Sequence, residues 1–306
     1  MGLQALSGVA KDLTKMSSKS AVKFVAGDGA LFTLVAVLTG SKNALKGVGF
    51  FVGAALLGWL GYDAALWSLC GLVAIALLVV LALLNQDIGK AKKKPPLSLS
   101  SLLSKSPSIN RLSAARLFLF ASRDIWFVVA LPVFLDEALG WSFEGIGAFL
   151  AAWIIGYGVV QSWAPRLIRA QGPDAEVRAA RIWSFLLALT AGAVALAVTT
   201  DTATTFAVVG GLLLFGVVFA VNSSLHSYLI LAYSEGDDVA MNVGFYYSAN
   251  AAGRLVGTLL SGALYVWGGL DLAMWGTAAF VLITWLLTLR ITSPAATRST
   301  SEYRTL

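Results

Sequence analysis

The sequence predicts an all-α integral membrane protein, and two features of the chain support that prediction. Hydrophobic residues make up 58% of the 306 residues, charged residues only 12%, and the mean hydropathy is +0.79. A soluble domain carries about 25% charged residues, so this chain has too few polar groups to coat a water-soluble globule. Its long apolar runs also lack the period-two alternation of transmembrane strands, which favours helices.

Eight stretches are long and apolar enough to cross a bilayer, which requires about 20 mostly apolar residues. They are residues 29–61, 64–85, 112–135, 143–165, 181–200, 205–232, 243–267 and 272–290. Charges or turn residues bound each stretch, as at Gly61-Tyr62-Asp63. The first stretch contains the turn-like Gly40-Ser41-Lys42-Asn43, but a break there would leave a left-hand piece too short to span. We therefore predict one continuous helix across this segment.

The chain divides into four predicted regions around one polar segment, which contains a lysine run, two adjacent prolines and many serines. They are the remnant of an N-terminal six-helix bundle at 1–85, a linker at 86–111, a C-terminal six-helix bundle at 112–291, and a tail at 292–306. Within the first region, residues 1–25 are helical in pattern but rich in lysine. We predict the end of a spanning helix there, with an interfacial amphipathic helix as the alternative.

The loop charges predict the orientation in the cell (inner) membrane. Lys and Arg are concentrated in segments 1–25, 85–111 and 164–182 and in the C-terminal tail, while the intervening turns have none. The positive-inside rule places these segments in the cytosol, and the linker and C-terminus with them. The loop at 233–242 is acidic although it falls on the same side, but acidic residues contribute little to this rule. The net charge of +6 thus reflects membrane topology and does not indicate a nucleic-acid partner.

A short internal repeat relates the span that holds Lys46 to the span that holds Arg254. KGVGFFVGA at 46–54 aligns with RLVGTLLSG at 254–262, and both are penultimate spans of their bundles. Two six-helix bundles related by an axis along the membrane normal form the major facilitator arrangement. The predicted fold is therefore a major facilitator superfamily helical bundle that is N-terminally truncated. It has about eight full transmembrane helices plus a partial one: the end of helix four and helices five to twelve.

Basic residues deep inside the predicted spans indicate an interior cavity. Lys42, Lys46, Arg123 and Arg254 lie well within their helices, and an ionisable group at the bilayer centre costs about 2.5–3.5 kcal/mol on insertion scales. The comparably deep acid is Asp124, which we do not expect to face Arg123, because sequence neighbours point to different sides of a helix. Such a cavity suits an anion such as phosphate, arsenate or carboxylate. Alternatively, these basic residues pair with acids elsewhere as structural bridges.

Neutral polar residues recur at helical spacing and extend this candidate site. Tyr246, Asn250 and Arg254 form one stripe, and Asn222 and His226 form another. Such stripes line a solute path or bridge helices by hydrogen bonds, and the sequence leaves both roles open. Asp124 and His226 are candidates for proton coupling.

Three further patterns add expectations. Another stripe joins Trp153, Tyr157 and Gln161, and Arg116, near the cytosolic edge, is expected to snorkel. The pairs Gly49-x-x-x-Gly53 and Gly253-x-x-x-Gly257 are expected to allow close helix packing.

Motifs of enzymes and metal sites were not found in the sequence. There is no metal-binding histidine pair, Walker loop or G-x-S-x-G motif, and the single cysteine, Cys70, lies within an apolar run without a partner. We therefore predict no catalytic residues, no metal and no cofactor. The predicted partners are a small anionic solute and membrane lipid.

Three segments of the chain have a distinctive sequence: LTGSKNALKGVGFFVGAALL, SAARLFLFASRDIWFVVALPVF and GVVFAVNSSLHSYLILAYSEGDDVAMNVGFYYSANAAGRLVGTLLSG. They resemble the organoarsenical efflux permease family, the ArsJ-type members of the major facilitator superfamily. The resemblance extends over nearly the whole chain. It implies export of 1-arseno-3-phosphoglycerate, which contributes to arsenate resistance together with the glyceraldehyde-3-phosphate dehydrogenase that makes this ester.

The resemblance also raises two expectations about the extent and activity of the chain. Family members begin with about three more helices, so we expect this chain alone to be incompetent for transport. The alternatives are a major facilitator transporter of another organic phosphate or carboxylate, and a non-transporting remnant.

Overall fold

The computed structural model describes residues 2–26, 30–83, 106–168, 173–200, 204–234 and 239–292, and the ordered structure in these ranges is helical. The α-helices are α1 (Gly2–Val25), α2 (Leu31–Leu83), α3 (Pro107–Ile125), α4 (Leu131–Glu137), α5 (Phe143–Ile168), α6 (Pro173–Thr199), α7 (Thr204–Tyr233) and α8 (Val239–Leu289). A π-helical turn, Trp126–Ala130, joins α3 to α4. These described ranges contain no strand, which confirms the all-α prediction.

Two helices contain internal breaks at glycine residues and so cross the membrane twice. Helix α2 has 53 residues and α8 has 51, far more than one crossing requires. Gly61 has φ 73° and Gly269 has φ 63°, a left-handed conformation that favours glycine, and both lie at predicted turns. The segment 31–60 stays helical through Gly40, as predicted. Together with the chain through α3 and α4 and with α5, α6 and α7, these half-helices give eight membrane-length segments among the described residues of this multi-pass membrane protein.

Helix α3 includes the last five residues of the predicted linker. Ser106 has the extended backbone of an N-cap and Pro107 follows at the first helical position, where its missing N–H leaves no bond unmade. Residues 107–111 are therefore helical, and residues 86–105 of the predicted linker lie outside the described residues. The division of the chain into two bundles stays a prediction.

The π-helical turn follows from a proline at the start of α4. Pro132 has no N–H, and its ring clashes with the carbonyl group four residues earlier, so the regular α-helical bonds cannot continue. Ser261 of α8 compensates, because its Oγ accepts hydrogen bonds from the backbone N–H groups of Val129 and Ala130, both at 3.1 Å. The turn is thereby tied to α8.

Close helix contacts occur at only some of the predicted glycines. Gly253 and Gly257 of α8 face the backbone of α3, where an added Cβ at Gly257 would lie 2.5 Å from a carbonyl oxygen. Gly49 and Gly53 of α2 have nothing within 4 Å, so the prediction for that pair is wrong. The close approach of α2 uses Gly40, together with Gly47 two turns later, and both pack against α5.

The buried core lies mainly between α3, α5, α6, α7 and α8. Aromatic rings fill the end of this core near the π-helical turn: the Trp126 ring centroid lies 5.3 Å from that of Trp153 and 5.6 Å from that of Phe215. The half-helix 31–60 packs on α5, whereas the side chains of 62–83 are almost all exposed. The polar cavity described below lies between α2 and the helices of this core.

Candidate functional site

A cavity of about 210 Å³ lies where α1, α2, α3, α5 and α8 meet, and six basic side chains line it. They are Lys11, Lys42, Lys46, Arg116, Arg123 and Arg254. Neutral donors and acceptors from Thr39, Asn43, Tyr157, Tyr247 and Asn250 complete the polar part of the lining. Four basic residues that the sequence predicted to face a cavity, and the predicted Asn250, are thus brought together.

Basic residues from three helices lie at one depth in the protein. Lys46 is fifteen residues after the start of α2, Arg254 is fifteen after the start of α8, and Arg123 is sixteen after the start of α3. At about 1.5 Å per residue, each lies roughly 23 Å from the first residue of its helix. These side chains therefore form one layer around a common space.

Asp124 forms ion pairs with two of the arginines. Its carboxylate is fully buried, accepts a hydrogen bond from Arg123 Nε at 2.7 Å and forms an ion pair with the Nη2 of the same residue. The second carboxylate oxygen accepts from Arg254 Nε at 3.1 Å. The expectation that Arg123 and Asp124 do not face each other is wrong, because the long arginine side chain folds back over its neighbour. The structural-bridge alternative is thus met in part, since two arginines share one carboxylate.

Arg116 points into the protein instead of snorkelling to the membrane edge. It is 3% exposed, and its Nε donates to Asn250 Oδ1 at 3.1 Å. Its Nη1 donates to the backbone oxygen and the Oγ of Ser223, both at 3.1 Å. Sequence reasoning missed this residue, although Arg116 precedes Arg123 by seven positions, or about two helical turns, and therefore shares its face.

An aromatic ring separates the two arginines on this face of α3. The guanidinium carbon of Arg116 lies 3.9 Å from the ring centroid of Phe120, and that of Arg123 lies 5.0 Å from it. Such cation–π contacts stabilise a charge without neutralising it. The Phe120 ring thus packs against both guanidinium groups beside the cavity.

A chain of hydrogen bonds anchors the wall of the cavity to α7. Tyr157 Oη and Gln161 Nε2 of α5 both lie within hydrogen-bonding distance of Ser223 Oγ, at 3.0 and 3.1 Å. Asn43 Nδ2 of α2 donates to Gln161 Oε1 at 2.7 Å. The predicted stripe on α5 thus bridges helices and also presents Tyr157 to the cavity.

Besides Asp124, three predicted site residues lie outside the cavity lining. Tyr246 is fully buried, with its ring 5.1 Å from the guanidinium carbon of Arg116. Asn222 joins α6 to α7: its Nδ2 donates to the Trp183 carbonyl oxygen at 2.8 Å, and its Oδ1 accepts from the Ser184 hydroxyl at 2.8 Å. His226 is fully buried, and within the described residues neither ring nitrogen has a hydrogen-bond partner.

The side chains that the structure describes contain no group of three or more His, Cys, Asp or Glu residues that could hold a metal ion. The chemistry of the cavity is therefore that of ammonium, guanidinium, amide and hydroxyl groups. These groups donate hydrogen bonds to oxyanions.

Comparisons with known proteins agree on the fold. A crystal structure of a bacterial homologue of the iron transporter ferroportin in the outward-facing state is similar, with a TM-score of 0.73 and 18% identity over 94% of this chain and 71% of the other. The same homologue with soaked iron gives a TM-score of 0.65 and 17% identity over 88% and 65% of the two chains. A search of curated proteins gave no match. The sequence profile of the Major Facilitator Superfamily matches residues 112–305, more than half of the chain. This protein therefore belongs to the Major Facilitator Superfamily of membrane transporters.

Proposed function

We propose that this protein takes part in the transport of an anionic organic solute, which binds in the basic cavity. The observation that carries the proposal is the convergence of six basic side chains on one space of about 210 Å³. Within the described side chains, two of the three arginines of this set, Arg123 and Arg254, form ion pairs with one carboxylate, that of Asp124. An anion would supply the countercharge that this carboxylate alone does not provide.

The two sides of the cavity offer different kinds of basic group. Lysines from α1 and α2 line one side and arginines from α3 and α8 line the other. A guanidinium group binds carboxylate or phosphate through two parallel hydrogen bonds, whereas an ammonium group acts as a point charge. A solute with an oxyanion at each end could therefore contact both sides at once.

The finer proposal is export of an organoarsenical, 1-arseno-3-phosphoglycerate, as a contribution to arsenate resistance. The resemblance of three sequence segments to the organoarsenical efflux permeases supports it, and so does a cavity suited to a solute with two oxyanion groups. A glyceraldehyde-3-phosphate dehydrogenase would supply this ester. Expression of the intact transporter in an arsenate-sensitive bacterium should raise resistance only when that dehydrogenase is also present.

Another organic phosphate or carboxylate would fit the same chemistry, and transport of such a solute is the second candidate. Resistance that does not depend on the dehydrogenase, together with uptake of a sugar phosphate by vesicles, would favour this alternative. A cation such as iron, which the similar ferroportin homologue was soaked with, is disfavoured by the electrostatic repulsion expected from six basic side chains.

The site is tested by Lys46→Gln and Arg254→Gln in everted membrane vesicles. Each variant removes one charge-assisted contact, worth about 1.5–3 kcal/mol, so uptake of the arseno-ester should fall by about tenfold or more. Arg178→Gln is the matched control, because Arg178 is an exposed residue of α6 that does not line the cavity. Wild-type uptake by both cavity variants, at equal amounts of folded protein, would overturn the site assignment.

Two buried groups are proposed to couple transport to protons. Asp124 contacts two cavity arginines, so its protonation would release both for the solute. His226 lies nearby on α7 but outside the cavity lining. Transport that still responds to an imposed pH gradient in both Asp124→Asn and His226→Gln would exclude these residues as the proton carriers.

The proposed orientation places the linker and the C-terminus in the cytosol of a cell with the protein in its inner membrane. It rests on the concentration of Lys and Arg in alternate loops. A green fluorescent protein fused to the C-terminus should fluoresce, since it does not mature after export in unfolded form. A dark but stably expressed fusion would reverse the orientation.

A further inference from the structure

A second cavity of about 310 Å³ lies between α1 and α2 and adjoins the first. Its polar lining consists of Lys11, Thr14, Ser18, Lys19, Thr39 and Lys42. Lys11, Thr39 and Lys42 also line the central cavity, so the two spaces share a wall of three residues. The two cavities are therefore adjacent along these three residues.

The second cavity lies closer to the connection between α1 and α2. Lys19 is six residues before the end of α1 and Thr39 is eight residues after the start of α2. At about 1.5 Å per residue these positions lie roughly 10 Å from the connected helix ends, against roughly 23 Å for the layer that contains Lys46. An anion that enters from this end would meet the second cavity first.

Lys19 places a positive charge inside the protein rather than on its surface. The residue is 3% exposed, and its Nζ lies 5.2 Å from the ring centroid of Tyr247 on α8. Tyr247 itself lines the central cavity. Lys19 thus lies beside the second cavity and against an aromatic ring that lines the first.

Thr39 supplies a donor at the junction. Its side chain is 8% exposed, and its hydroxyl has no hydrogen-bond partner among the described residues. By contrast, the hydroxyls of Thr14 and Ser18 donate to the carbonyl oxygens of the preceding turn of α1, at 2.9 and 2.7 Å. Their protons are therefore already used, and recognition of an oxyanion falls to the Thr39 hydroxyl and the lysines.

We propose that the second cavity is an anion subsite on the path to the central cavity, in which Lys19 and Thr39 hold a phosphate or carboxylate group transiently. Lys11 and Lys42, which belong to both cavities, then pass the group to the layer of Lys46. This inference rests on the proposed function of the central cavity. It adds a binding step whose contribution is to the rate of association rather than to the final affinity.

The test measures binding of labelled 3-phosphoglycerate to the membrane-embedded protein in nanodiscs, both at equilibrium and after rapid mixing. Electrostatic steering raises association rates by about 10–10³-fold, so Lys19→Gln should lower the association rate constant roughly threefold to tenfold at low salt. Thr39→Val should also lower the association rate constant. The difference in rate between Lys19→Gln and the wild type should vanish near 1 M salt, where the Debye length is about 3 Å. The equilibrium affinity of Lys19→Gln should stay within roughly twofold.

Matched variants separate the subsite from other effects. Lys23→Gln, one turn further along α1 and lining neither cavity, should bind like the wild type. Lys19→Arg retains the charge and should bind at the wild-type rate. If Lys19→Gln does not fold, Lys19→Met, which removes the charge but keeps an apolar side chain of similar length, takes its place. Equal low-salt rates in Lys19→Gln and Lys23→Gln would overturn the proposal.

The same experiment distinguishes failure of the subsite from failure of the proposed function. If Lys46→Gln loses equilibrium binding while Lys19→Gln keeps the wild-type association rate, the central site is supported and the subsite is refuted. Retained binding in Lys46→Gln with lost binding in Lys19→Gln would make the second cavity the main site and overturn both statements as written. No saturable binding in the wild type would also overturn both.

Discussion

Replacement of Asp124 by Asn is expected to destabilise the protein and to strengthen anion binding at the same time. The buried carboxylate of Asp124 accepts hydrogen bonds from Arg123 and, at 3.1 Å, from Arg254 Nε. Asparagine preserves the shape of the side chain and one acceptor oxygen. It removes the negative charge that faces two guanidinium groups.

The loss of stability follows from the exposure of the two partners. Removal of one member of a buried ion pair costs about 3–5 kcal/mol, whereas an exposed pair contributes about 0–1 kcal/mol. The Arg123 side chain is 14% exposed and the Arg254 side chain is 48% exposed. The Arg123–Asp124 pair should therefore behave as a buried ion pair, and the Arg254–Asp124 pair as an exposed one. We therefore expect the free energy of unfolding to fall by about 3 kcal/mol.

The gain in anion affinity follows from Coulomb's law. At an effective dielectric constant of about 20, a negative charge about 6 Å from a bound anion repels it by about 2.8 kcal/mol. Water in the cavity weakens this repulsion. Loss of the repulsive carboxylate should therefore tighten binding of 3-phosphoglycerate by about 10-fold to 100-fold.

Thermal unfolding in detergent, with and without 3-phosphoglycerate, measures both effects. A ligand at one hundred times its Kd should restore about 2.7 kcal/mol to the variant. Asp136→Asn is the control, because Asp136 is an exposed residue of α4 and its substitution should change stability by less than about 0.5 kcal/mol. Unchanged stability of Asp124→Asn, or weaker anion binding, would refute the reasoning.

Three further substitutions test the packing that positions the cavity, and each is followed by thermal unfolding. Gly257→Ala places a methyl group 2.5 Å from a carbonyl oxygen of α3 and should cost about 1–3 kcal/mol, whereas Gly262→Ala, with nothing within 4 Å, should not destabilise. Ser261→Ala removes the acceptor of two backbone N–H groups at the π-helical turn and should cost about 1–3 kcal/mol; a neutral effect would mean that the turn does not need it. Gly61→Ala forces an L-residue into φ 73° and should cost about 1–2 kcal/mol, while Gly58→Ala in the preceding helix should be neutral or stabilising. Equal stabilities of the last two variants would contradict a strained break at residue 61.

The fold could be predicted because the bilayer imposes simple rules on sequence. Apolar length located the spans, and Gly61 and Gly268-Gly269 marked the two breaks inside long helices, which the structure confirms. The start of α3 was placed too late, because residues 107–111 are polar and only the Ser106-Pro107 pair signals a helix there. The assignment of the superfamily is confirmed by the profile match to residues 112–305.

The candidate site was only partly predictable, because depth in a span does not determine the direction of a side chain. Depth singled out Lys46, Arg123 and Arg254, which do line one cavity, but it also suggested that Arg116 was too close to the edge to matter. Asn222 and His226 share a helical stripe, yet they face neighbouring helices rather than the cavity. These directions depend on the rotation of each helix, which packing sets and a single sequence does not reveal.

Glycine spacing shows the same limit. Gly253 and Gly257 meet α3, but the equally spaced Gly49 and Gly53 meet nothing within 4 Å. The two pairs are alike in sequence, and only the position of the partner helix separates them. Contacts between helices that are distant in sequence therefore had to come from the structure.

The contact between α2 and α5 brings two backbones together at the wall of the cavity. A Cβ added at Gly158 would lie 2.6 Å from the carbonyl oxygen of Gly40, so neither position has room for a side chain. Separation of the two helices would lose this close van der Waals packing, whereas the absence of side chains at Gly40 and Gly158 leaves little to oppose a small rotation. We therefore expect α2 and α5 to stay in contact during the transport cycle and to rotate about this contact. The largest displacements should then occur at the helix ends farthest from it.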